Sequence, residues 1–154
     1  MKYHIPKILF FLVILFLLDL LKPLGYALSV DFLFLGIVYT ALNYYFSWLL
    51  FISIIFGYFK DVFTQTGVSL SILEYSLIFF FIYNLRANFL FIDKKIEDFS
   101  IKVIIAIFLF TLHFIINQKN IGLFLSLFFI GYLVQSVLIY IFLTYFFKKH
   151  ILVN

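Results

Sequence analysis

Between Asp31 and Lys60 the chain carries 28 consecutive uncharged residues, Phe32 to Phe59, nearly all apolar. As one helix this run is about 42 Å long at ~1.5 Å per residue, against a bilayer hydrocarbon core of about 30 Å. As two helices it needs a turn in the middle, and Asn43-Tyr-Tyr-Phe-Ser47 supplies turn-forming residues at its ends. A water-soluble domain has little use for such a run. Hydrophobic residues make up 66% of the 154 and charged residues 12%, against roughly a quarter charged in ordinary globular domains. The apolar stretches are continuous, Ile8 to Leu18 for example, and do not alternate as membrane barrel strands do. The expectation is an all-α polytopic membrane protein in a single integral membrane domain, residues 1–154.

Charge settles the number of crossings. The apolar stretches read as spans over 5–21, 29–44, 46–63, 68–85, 103–118 and 121–147. With six spans and the N-terminus inside, the inner side holds Lys2, Lys7, Arg86, Lys94, Lys95, Lys102, Lys148 and Lys149, and the outer side only Lys22, Lys60 and Lys119. Counting Phe32 to Phe59 as one span gives at best seven inside against four. Basic residues concentrate in cytoplasmic loops, so six transmembrane helices with both termini cytoplasmic are expected. The first span is expected to be retained, because Leu18-Asp-Leu-Leu-Lys-Pro has no small-residue cleavage pattern. The net charge of +4 lies at span ends, where orientation and phospholipid headgroups account for it, so no nucleic-acid partner is expected.

Polar residues at membrane depth are costly and each needs a reason. Ser53, Gly57 and Asp61 recur every four residues and share one helix face. Ser53 and Gly57 form a small-xxx-small pair that lets another helix approach closely. Asp61 either caps the following loop or anchors a partner. Asp31 opens the second span, where the helix dipole favours a carboxylate. Asp19 sits within a turn of the first span's end, in reach of the interface. Glu74 lies about two turns into the fourth span, placed to pair with Lys60 or to line a cavity. His113 and Asn117 stack on one face, as do Gly131 and Gln135; interhelical hydrogen bonds are the expected role of His113 and Gln135. No internal repeat is legible.

The chain lacks cysteine, which removes thiolate metal sites and a Cys nucleophile. It has no GxSxG, P-loop or HExxH pattern, and its single arginine, Arg86, provides poorly for an anionic substrate. No catalytic, cofactor or metal residue is assigned.

Two segments carry a family likeness. Val30-Asp-Phe-Leu-Phe-Leu-Gly-Ile-Val-Tyr-Thr-Ala-Leu42, followed by Gly57-Tyr-Phe-Lys-Asp-Val-Phe-Thr-Gln-Thr-Gly-Val-Ser-Leu-Ser-Ile-Leu-Glu-Tyr75, resembles MreD, the rod-shape-determining membrane protein of bacteria. That family has an acidic residue opening a span, a Gly-containing helix ending in Asp, a polar loop and a Gly before the next span. Asp31, Gly57, Asp61 and Gly67 stand at those positions. Val30 replaces a frequent Pro, and the turn at Asn43 to Ser47 lacks the family's basic-Gly-Pro character. The resemblance implies a fold similar to the S component of energy-coupling-factor transporters. It implies a non-enzymatic scaffold subunit of the cell-elongation, peptidoglycan-synthesising machinery in the bacterial cytoplasmic membrane. Its partner would be an MreC-like protein and, through it, MreB-like, RodA-like and transpeptidase proteins. Ser53, Gly57, Asp61, Asp31 and Gly67 are then the partner-binding candidates. The second reading is a vitamin-binding S component; the absence of Ala and Gly from Ile8 to Leu21 counts against it, since that role needs a small-residue surface on the first span.

Overall fold

The computed structural model describes residues 5–21, 30–44, 48–64, 70–89, 99–117 and 127–150. They form six α-helices in chain order, with no strand among the described residues: α1 (Ile5–Leu21), α2 (Phe32–Asn43), α3 (Trp48–Thr64), α4 (Leu70–Phe89), α5 (Phe99–Asn117) and α6 (Leu127–His150). The helices group into two compact units, Met1–Asp93 and Lys94–Asn154.

In the first unit α1 packs on α2 and α3, and α4 packs on α2 and α3. The buried residues of α1, Ile8, Leu12 and Leu15, fall on one stripe at helical spacing. Its other faces are apolar too. From Leu9 to Leu21 the outward side chains are all Leu, Phe, Val or Ile, and Phe10 is 68% exposed. A helix on the surface of a water-soluble bundle carries polar residues there. On α2 every residue from Leu33 to Leu42 is buried, as expected of a helix apolar on all sides. α3 buries Leu49, Ile52, Ser53 and Phe56 and exposes Trp48, Phe51, Ile55 and Tyr58.

The second unit is the α5–α6 hairpin. Ala106, Leu109, Phe110, His113 and Phe114 of α5 are buried. Phe110 meets Tyr140 at 6.4 Å and Phe114 meets Tyr132 at 5.3 Å between ring centroids. Two segments, Phe99–Asn117 and Phe129–Phe146, are long and apolar enough to cross a membrane. The helices of the first unit are shorter or less apolar, and α2 has only 12 residues.

Helix count and order agree with the sequence reading, and α1 has the expected bounds. Three ends differ. α2 begins at Phe32, not residue 29, because Asp31 terminates it as N-cap. α5 begins four residues early, at Phe99, and α4 runs on to Phe89. Residues 121–126, assigned to the last span, and the turn at 45–47 lie outside the described residues.

Candidate functional site

Asp19, Asp31, Lys60 and Asp61 gather at one end of the first unit, where α1 and α3 finish and α2 and α4 begin. α2 cannot satisfy its first backbone N–H groups from within itself. Asp31 takes one: its Oδ1 accepts from the N–H of Phe34 at 2.9 Å, an ordinary N-cap. Asp19, near the end of α1, takes two more. The N–H of Phe32 donates to its Oδ1 at 2.9 Å and the N–H of Leu33 to its Oδ2 at 2.7 Å. A carboxylate on a helix N-terminus also meets the favourable end of the macrodipole.

The same device recurs on the next pair of helices. Asp61, near the end of α3, accepts from the N–H of Ser71 at 3.1 Å and from that of Ile72 at 3.2 Å. In both hairpins an acid near the end of one helix grips two consecutive N–H groups at the start of the next. The intervals are 13 and 14 residues in the first hairpin and 10 and 11 in the second. The sequence reading found no repeat; the structure contains a repeated capping arrangement, hidden from sequence because the loops differ in length and little else matches.

Lys60 joins the two hairpins. Its ammonium pairs with Oδ2 of Asp31 and donates to the hydroxyl of Tyr75 at 3.1 Å, while lying 5.6 Å from the Tyr75 ring centroid. Tyr75 is fully buried and its ring stands 6.1 Å from that of Phe34. One cation on α3 therefore binds the start of α2 and the first turns of α4. Glu74 is buried at 4% exposure beside Tyr75.

Gly57 explains why α4 lies so close to α3. A Cβ there would stand 2.9 Å from Cα of Ile72 and 3.1 Å from the carbonyl carbon of Ser71. Ser53, one turn earlier, is buried, and its hydroxyl donates to the carbonyl of Leu49 at 2.7 Å. The small-residue pattern does admit a close helix, and at Gly57 that helix is α4 of the same chain. Asp61 likewise grips α4. Of the five partner-binding candidates, Asp31 and Asp61 stand at one end of the unit, Gly57 and Ser53 line α3 behind Asp61, and Gly67 lies outside the described residues.

Asp19 and Tyr75 were not singled out as site residues in the sequence. Asp19 had one available signal: Leu18-Asp-Leu-Leu and Lys60-Asp-Val-Phe place an acid at matching points near the ends of α1 and α3. Tyr75 had none, since it sits in an apolar run.

In the second unit the Asn117 amide nitrogen lies 3.1 Å from Nδ1 of His113 and donates to the His113 carbonyl at 3.0 Å. This confirms the shared face. Across the hairpin, the His113 ring stacks on Tyr132 with centroids 6.2 Å apart and planes 27° from parallel. Among the described residues no group of three or more His, Cys, Asp or Glu is placed to hold a metal. Asp19, Asp31 and Asp61 are engaged by backbone N–H groups, and Asp31 by Lys60 as well, an arrangement that fixes helices in place. No protein-family model matches the chain, and no curated protein or solved structure matches it.

Proposed function

We propose that this chain is a six-span, non-enzymatic scaffold subunit of the bacterial cell-elongation machinery, of MreD type, that holds an MreC-like single-span partner in the cytoplasmic membrane with both termini inside. The observation that carries the reading is the double capping by Asp19 and Asp61. Membrane carriers commonly aim helix N-termini at the anionic groups of their substrates. Here α2 and α4 have those positions filled by the chain's own carboxylates. What remains is a set of helices whose starts are capped from within and whose outward faces are apolar, and such a body acts by packing against other helices and lipid.

Within this reading the Ser53–Gly57–Asp61 face is the joint that seats α4 on α3. A partner helix then has the outward faces of α1 and α3, including Phe10, Val13, Phe51 and Ile55, to pack against. The eight-to-three distribution of basic residues supports the orientation.

Depletion of the protein in its host tests the assignment. Rounded cells with normal vitamin uptake are expected; rod-shaped cells that acquire a vitamin requirement overturn it in favour of a vitamin-binding carrier subunit. Copurification from solubilised membranes is expected to bring down an MreC-like protein.

A further inference from the structure

On three helices of the first unit, polar residues stand at nearly the same short interval. On α1, Lys7 and Asp19 are twelve residues apart. On α2, Asp31 and Asn43 are twelve apart. On α4, Ser71 and Asn84 are thirteen apart. At ~1.5 Å per residue each interval is about 18–20 Å. The hydrocarbon core of a bilayer is about 30 Å thick. Three helices thus agree on a slab roughly ten ångströms too thin.

Snorkelling normally absorbs such a mismatch, because long side chains carry their charge to the interface. It is blocked at this end. Asp19, Asp31 and Asp61 are short, and each is tied to backbone N–H groups of a helix start. Lys60, the one long charged side chain of the cluster, turns to Asp31 and Tyr75. Asp31 and Lys60 nonetheless keep 13% and 17% of their side-chain surface exposed. The polar plane is therefore fixed at the depth of the α2 and α4 N-termini, and something polar must reach it. Deforming the bilayer costs little per ångström, whereas charges held in hydrocarbon are expensive.

We propose that the first unit thins the bilayer around itself, drawing outer-leaflet phospholipid headgroups and water down to the plane of Asp19, Asp31, Lys60 and Asp61. Wherever a partner helix does not cover it, the apolar belt then meets a lipid annulus of reduced thickness. Between Lys7 and Asp19, α1 presents Leu9 and Ile14 to the shortened chains. Val62, next to Asp61 and 53% exposed, lies at the water boundary. The inference rests on the six-span reading.

The test uses the purified full chain in vesicles of dimyristoleoyl, dioleoyl or dierucoyl phosphatidylcholine. Helix melting followed by circular dichroism is expected at its highest midpoint in the thin dimyristoleoyl bilayer, falling with each longer lipid. A midpoint that is flat or highest in dierucoyl lipid overturns the proposal. Because the chain has no cysteine, single cysteines report water access. In dioleoyl vesicles a membrane-impermeant maleimide is expected to label Val62→Cys and to leave Ile55→Cys unlabelled; equal protection of both overturns the proposal as well. Resistance to alkaline carbonate extraction is scored separately. Release by carbonate defeats the six-span reading itself, whereas retention without thickness dependence defeats only the thinning.

Discussion

Asp61 and Ile72 are joined across a helix hairpin: the N–H of Ile72 donates to the Asp61 carboxylate at 3.2 Å, and Ser71 donates beside it at 3.1 Å. Asp19 holds Phe32 and Leu33 in the same manner. Each carboxylate satisfies two N–H groups that the helix cannot satisfy itself. Hydrogen bonds to a charged group contribute about 1.5–3 kcal/mol, and their loss leaves part-buried donors without an acceptor. Asp61→Ala and Asp19→Ala are each expected to destabilise the first unit by about 2 kcal/mol in denaturant titrations in mixed micelles. Asp→Asn keeps one acceptor oxygen and is expected to cost about half as much. Equal loss from Asn and Ala at both positions would show that charge, not the hydrogen-bond count, is what matters.

Three glycines in helices separate by what surrounds them. At Gly57 a new Cβ meets the α4 backbone at Ile72, which cannot step aside. At Gly36 it meets Leu15 and Leu12 side chains, which can rotate. At Gly131 it meets nothing within 4 Å. Alanine at Gly57 is expected to cost about 1–3 kcal/mol through overpacking. Alanine at Gly36 is expected to cost less than at Gly57, and at Gly131 to stabilise by roughly 0.5–1 kcal/mol through helix propensity alone. Melting the three variants in one detergent checks the order.

The helices were legible because their ends carry local signals. Pro6 and Lys7 mark the start of α1, and Lys22 and Pro23 follow its last residue. The start of α2 lies three residues beyond the expected one because Asp31 is not a first-turn acid but the N-cap, which excludes earlier residues from the helix. The small-residue pattern at Ser53 and Gly57 correctly announced a close helix but could not say which one, since a pattern on one surface carries no address. Contacts made over ten or more residues were illegible. Asp19 reaching Phe32, and Lys60 reaching both Asp31 and Tyr75, depend on how the hairpins stack. No local spacing encodes that.

His113 and Tyr132 meet across the α5–α6 hairpin with ring centroids 6.2 Å apart and planes 27° from parallel. A flat ring at position 113 keeps that contact and an aliphatic side chain does not. His113→Phe is therefore expected to keep stability within about 1 kcal/mol of wild type, and His113→Ala to lose about 2–4 kcal/mol through the lost ring and the cavity left. Thermal melts of both variants decide it; equal losses would place the essential interaction in the imidazole nitrogens and Asn117.

Lys60 couples two helices through one ammonium, so its partners are expected to be energetically coupled. Removing Lys60 alone leaves Asp31 with its N-cap bond but with a part-buried charge no longer paired by Lys60. Removing Asp31 alone takes the paired carboxylate from the ammonium and leaves its bond to Tyr75. Single losses of this kind cost more than replacing both partners together. Lys60→Met and Asp31→Asn are each expected to destabilise the unit, and the double variant to lose less than the two losses combined, with a coupling energy of about 1–2 kcal/mol. Tyr75→Phe keeps the ring that packs on Phe34 and faces the ammonium but removes the hydroxyl acceptor. Its expected cost is about 1 kcal/mol, the net value of a single hydrogen bond. A double-mutant cycle in the same detergent measures all of these, and strictly additive losses would show that Lys60 binds Asp31 without stabilising the joint between the hairpins.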